Sequence, residues 1–176
     1  ATPGPTPSPT PGPAPPAAGP GGGATATGDP HLVNVLGQKF DIMQPGRHAL
    51  LVVPQGAIGI QSVLLRVVAE VQADGPSCGD MYMKGINITG LWAEGFAATS
   101  YRSGHQTGAP AGWQQYGALG VKVVWGRTSR GAEYLNIFVR GLRTLALPVG
   151  GLLGLDDHSA AAAPRLQCQR TLDLLQ

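Results

Sequence analysis

Apolar and polar positions change their pattern at about residue 24. From there onward, apolar residues recur in short runs separated by breaks that contain glycine or proline. Residues 119–125 (LGVKVVW) and 133–140 (EYLNIFVR) alternate apolar and polar side chains with a period of two. That period marks a strand with one buried face. Residues 81–89 alternate in the same way around a glycine, and 33–40 and 49–53 are shorter strand-like stretches. Residues 58–72 (IGIQSVLLRVVAEVQ) are rich in Val and Ile, lack proline, and are expected to be a further strand. The breaks at 54–56, 75–79, 104–112 and 126–131 read as turns. Helical periodicity is missing before residue 165, and no internal repeat stands out. Many short strands with Gly-rich turns predict an all-β fold, an antiparallel sandwich or barrel.

The first 20 residues follow a different rule. Nine of them are proline, interleaved with Thr2, Thr6, Ser8, Thr10 and small residues. Proline fixes φ and lacks an N–H, so this segment joins neither a helix nor a central strand. It is expected to be an extended polyproline II stalk, with the four hydroxyl residues as O-glycan acceptors. A disordered linker is the alternative. Gly21, Gly22 and Gly23 supply a joint. The expected organisation is a stalk or linker over 1–23, a β domain over 24–164 and a C-terminal segment over 165–176. Ala160 to Ala163, followed by Pro164, reads as a spacer. The last segment carries Leu166, Leu172, Leu174 and Leu175, and either docks on the domain or leads to a neighbour. A chain that starts at Ala1 is expected to be processed or a fragment.

Composition narrows the function classes. The chain has 176 residues, 12% charged, with a net charge of +2. Basic residues are scattered, so nucleic acid is not an expected partner. Apolar stretches are too short for a transmembrane helix, so membrane insertion is not expected. Two cysteines exclude a dense disulfide scaffold and a four-Cys zinc site. The charged fraction is about half the ordinary value of roughly 25%. Attached glycans or extensive protein contacts are then needed to keep such a surface soluble.

The most specific string is Gly28-Asp29-Pro30-His31, followed by Gly37-Gln38-Lys39-Phe40-Asp41. Together with DMYMKGINITG (80–90), GVKVVW (120–125), YLNIFVRGL (134–142) and GGLLGLDDHS (150–159), it resembles a von Willebrand factor type D domain over about residues 28–159. The resemblance implies an antiparallel β-sandwich and an extracellular setting. Departures from the family pattern are equally informative. The family is rich in cysteine, and Leu153 stands where its closing motif has one. Its calcium site takes oxygen from an Asp in the opening block and from Asn and Asp in the closing loop. Here the opening Asp position is Leu36 and the Asn position is Leu155. Only Asp157 matches, with Asp156 beside it. Calcium takes six to eight oxygens, so no cofactor is expected, and Asp156 and Asp157 remain weak metal candidates.

Other candidate sites carry a structural reading beside a functional one. In some members of that family the GDPH string cleaves itself. The Asp29 carboxylate attacks its own main-chain carbonyl, and His31 protonates the departing Pro30 nitrogen as a general acid. The structural reading is a tight turn entering the first strand. Asn87-Ile88-Thr89 is an N-glycosylation sequon, usable only where it faces solvent. Cys78 and Cys168 are expected to pair in an oxidising compartment, and two free thiols are the alternative. Trp92, Trp113 and Trp125, with the aromatic loop over 101–116, would serve a glycan platform or simply the core. No His-Glu-x-x-His helix or phosphate-binding loop is present. His31, His48, His105 and His158 are far apart in sequence, and a conventional enzyme is not expected.

The expectation is an extracellular, cell-surface structural module that builds a fibre, coat or matrix. Its partners are copies of itself, other extracellular structural proteins, or glycans. Stalks of the TPSPTPGP kind also resemble hydroxyproline-rich wall proteins of plants and green algae. A glycan- or protein-binding module and a self-processing domain are the alternatives.

Overall fold

A computed structural model of the chain describes residues 23–28, 30–59, 61–74, 80–93, 99–104 and 112–163. The stalk with Thr2, Thr6, Ser8 and Thr10, the residue Asp29, both cysteines and the C-terminal segment lie outside the described residues.

The described residues form an antiparallel β-sandwich. In chain order its strands are β1 (Ala24–Thr27), β2 (His31–Val33), β3 (Lys39–Asp41), β4 (Gly46–Val53) and β5 (Leu65–Ala73). They continue with β6 (Met81–Thr89), β7 (Thr99–Arg102), β8 (Gln114–Tyr116), β9 (Leu119–Arg127) and β10 (Glu133–Arg140). One sheet runs β3-β2-β1-β10-β9-β8 and the other β4-β5-β6-β7. Strands β5, β6 and β10 bury alternate residues, as their period-two sequences require, with one irregularity in β6 where adjacent Gly85 and Ile86 are both buried at a register shift. Their inward side chains, among them Leu65, Val67, Met81, Met83, Leu135 and Ile137, are fully buried between the sheets. Ala24 and Ala26 on β1 are fully buried too. Their small side chains suit a strand lying between β2 and β10.

The structure departs from the sequence reading at three places. Residues 33–40 are not one strand: the chain turns between β2 and β3. The cause is Asn34, only 2% exposed. Its Oδ1 accepts from the N–H groups of Leu36 and Gln38 at 3.0 and 2.9 Å. An Asn side chain that satisfies the backbone locally competes with strand pairing. The run over 58–72 enters the sheet only at Leu65. Before it, Ser62 closes a turn by donating its N–H and its hydroxyl to the Gly59 carbonyl, and Ile58 is 91% exposed. The alanine spacer is instead one helical turn, α1 (Ser159–Ala162). It docks on the sandwich through the Ala161 carbonyl, which accepts from Met43 N–H at 2.8 Å.

Continuous apolar burial over Leu50–Val53 has a separate cause. The inner face of β4 meets the core, while the glycine-rich segment 150–155 lies against the strand. Val52 bridges to Gly150, and the N–H groups of Leu152 and Leu153 donate to the carbonyls of Ala49 and Leu50. Edge strand β4 is thereby covered at this end, which shields it from pairing with another chain.

Burial also leaves a titration signature. Desolvation first, and then the neighbouring Tyr116, push the Tyr101 phenol from 10.0 to about 12. The folded state therefore keeps a proton that the unfolded chain has lost. The resulting stability is fully present below pH 10 and is lost as pH rises towards 12. Absorbance at alkaline pH should show Tyr101 ionising late, together with unfolding. Replacing Tyr101 with phenylalanine should remove that phase.

Candidate functional site

Three regions carry the residues singled out above. The first is the end of the sandwich where the β2–β3 turn meets the closing segment. Val35 N–H donates to the Leu153 carbonyl at 2.9 Å, tying the first sheet to the segment that covers the second. Two leucines project from these loops without cover: Leu36 is 60% exposed and Leu155 47%. Leu147 (38% exposed) joins them. With Val35, Leu142 and Pro148 they line an open depression of about 500 Å³, with Arg143 at its wall. Thus Leu36 and Leu155, which the family resemblance places at calcium-ligand positions, lie far apart in sequence and line the same depression.

The carboxylates beside it are engaged. Asp156 Oδ1 accepts from Gln55 Nε2 at 2.8 Å, and its Oδ2 accepts from Gly151 N–H at 2.6 Å. Asp157 accepts from the Ser159 N–H and hydroxyl at 3.0 and 2.7 Å. These bonds hold the Asp157 carboxyl below the usual carboxylate range. Both side chains fasten turns, and the depression supplies leucines where calcium needs oxygen. The residues present do not fit the family's calcium site. Among the described residues, no three His, Cys, Asp or Glu side chains gather as a metal site would require.

The second region is the strand entry around GDPH. His31 and Asp41 face each other in the β2–β3 register. His31 Nδ1 lies 2.6 Å from Asp41 Oδ1, with both side chains at least half exposed. A carboxylate at Nδ1 fixes the imidazole tautomer and leaves Nε2 to exchange a proton. Gly28 N–H donates to Asn136 Oδ1 at 2.7 Å. The Pro30 carbonyl accepts from Ile42 N–H at 3.2 Å. Backbone on both sides of Asp29 is therefore anchored. The sequence reading did not foresee Asp41 as the partner of His31. Both residues stood within the matched opening blocks, and a pairing ten residues away needs only the hairpin that Asn34 creates.

The third region is the outer face of the four-stranded sheet. Asn87 and Thr89 alternate with buried Ile88 and are half-buried on that face. Ser100 Oγ donates to Asn87 Oδ1 at 2.6 Å across the β6–β7 register. Arg47, Glu70, Gln72 and Arg102 complete a shallow polar groove around Asn87. Of the aromatic loop over 101–116, residues 105–111 lie outside the described residues. Trp92 and Trp125 pack against the core, while Trp113 lies beneath the Arg140 guanidinium, 4.4 Å from its ring centroid.

Residues 75–79 (GPSCG) also spell Gly-x-Ser-x-Gly. They lie outside the described residues and connect β5 to its antiparallel neighbour β6. A nucleophile elbow requires a strand followed by a helix, so this context does not support one. No helix among the described residues is long and apolar enough to cross a membrane. No protein-family model matches the chain, and a search of curated proteins finds no relative.

Proposed function

We propose that this chain is an extracellular structural module: a β-sandwich on a Pro-rich stalk that assembles through protein–protein contacts. The observation that carries the reading is the apolar depression at the end of the sandwich. Three leucines held at 38–60% exposure around one depression form the kind of patch that another polypeptide covers. Low charge and a stalk of proline with Thr and Ser support the same reading, because glycans then supply the solubility that charge does not. The resemblance to a von Willebrand factor type D domain supports it by analogy.

Intact and peptide mass of the natural protein tests the extracellular half of this reading. Sugar mass on residues 1–20 or on Asn87, and a chain two hydrogens lighter before reduction, are the expected results. A bare chain with both thiols free contradicts it.

The anchored GDPH entry favours a second reading, self-processing at Asp29-Pro30. In that step an Asp29 carboxylate oxygen bonds to the residue's own carbonyl carbon. The bond to the Pro30 nitrogen then breaks as that nitrogen takes a proton from His31. The products are an Asp29 anhydride and a new amino terminus at Pro30. Water or a sugar hydroxyl then opens the anhydride. Replacing His31 with alanine should slow the appearance of the two fragments by about 10²–10⁴-fold, the usual contribution of a general acid. Asp41→Asn should slow it less. Equal rates in all three proteins, or no fragments from the parent chain, would exclude the reading.

A further inference from the structure

We propose that the depression receives the Pro-rich segment of a second copy of this chain, residues 11–20 (PGPAPPAAGP), so that copies join head to tail. The inference rests on the structural reading above and names its partner.

The first argument is chemical fit. Five of those ten residues are proline, and none is charged or carries a hydroxyl. A polyproline II segment makes no internal hydrogen bonds. Each N–H laid on an apolar wall without an acceptor is therefore a cost, and proline has none. Leu36, Leu147 and Leu155 offer such a wall, and Arg143 beside them can donate to the segment's carbonyls. The hydroxyl residues Thr2, Thr6, Ser8 and Thr10 all precede this stretch, so their glycans would leave it bare.

The second argument is position and length. Ala24 pairs with Val139, and Thr25 pairs with Val33. One further step along the β1–β10 ladder sets Gly23 level with Arg140, two residues before Leu142 in the wall of the depression. Gly23, the first described residue, therefore lies at the end of β1 near the depression. If extended at about 3.1 Å per residue, the twelve residues 11–22 would reach roughly 37 Å. A domain of this size spans roughly 40 Å, so a segment of that reach is long enough to contact a neighbouring copy. A contact between two different surfaces repeats from copy to copy, giving a ring where the rotation closes and an open chain where it does not.

Sedimentation velocity on the full chain and two full-length variants tests this. One variant is Leu36→Glu with Leu155→Glu. The other replaces Pro13, Pro15, Pro16 and Pro20 with glycine. Alone, the parent chain should grow with concentration, and each variant should associate about tenfold more weakly or worse. Mixed, the two variants should form a one-to-one pair and nothing larger, because only one intact stalk meets one intact depression. If the proline variant assembles like the parent while the leucine variant does not, the depression meets another surface: this inference falls and the assembly reading stands. A parent chain that stays monomeric throughout overturns both.

Discussion

Replacing Gly154 with alanine is expected to lower the unfolding free energy by about 3 kcal/mol, the upper range for a forced overpacking. An alanine Cβ there would lie 2.3 Å from the Val149 carbonyl oxygen and 2.5 Å from that of Gly150. Both are backbone atoms, so no side chain can rotate away. Relief requires opening the turn in which Gly154 N–H donates to the Gly151 carbonyl and Leu155 N–H to the Val149 carbonyl. That turn also presents Leu155 and covers β4. Its neighbour Gly151, at φ 86°, would meet the Leu50 carbonyl in the same way. Thermal unfolding should shift down by about 10 °C. An alanine variant with unchanged melting temperature would show that the closing segment yields more easily than its contacts require.

Replacing Asn34 with alanine is expected to cost about 2–3 kcal/mol. The side chain accepts from two backbone N–H groups and donates from Nδ2 to Gln38 Oε1 at 2.7 Å. Alanine leaves both donors without a partner at a part-buried site, where each costs about 1–3 kcal/mol before relaxation and water recover some of it. Asn34→Asp keeps both acceptor bonds and should restore part of the stability at neutral pH. Chemical denaturation of the three proteins checks the order. The turn also carries Leu36 and places Asp41 opposite His31. The alanine variant should therefore weaken assembly and slow any cleavage at Asp29 together, whereas Gly154→Ala should affect assembly and leave the His31–Asp41 pair intact.

Long strands were legible because their periodicity is local. Glu133–Arg140 alternates over its whole length, and the structure pairs all of it with β9. The three- and four-residue strands β1, β2, β3, β7 and β8 are too short to show a period. Partners far along the chain define them: β1 exists because Ile137–Val139 on β10 pairs with it. The β2–β3 hairpin was hidden because Asn34 looked like one polar position within a strand. Its capping role depends on main-chain atoms that a residue pattern does not display.

The candidate site was legible only in fragments. Leu36 and Leu155 stood out as apolar residues where the resemblance expects oxygen ligands. Nothing in their local sequence says that they converge. Convergence follows from the Val35–Leu153 hydrogen bond and from the closing segment lying on β4. The roles of Asp156 and Asp157 were equally hidden, because both serve turns whose partners, Gln55 and Ser159, carry no metal-ligand signature.

Sedimentation equilibrium of the full chain from micromolar to millimolar concentration, beside the Leu36→Glu, Leu155→Glu variant, tests the central claim most directly. The account predicts a weight-average mass that climbs with concentration for the parent chain and stays at one copy for the variant, with matching unfolding curves. A variant that assembles as strongly as its parent would contradict it, because the apolar end of the sandwich would then play no part in assembly.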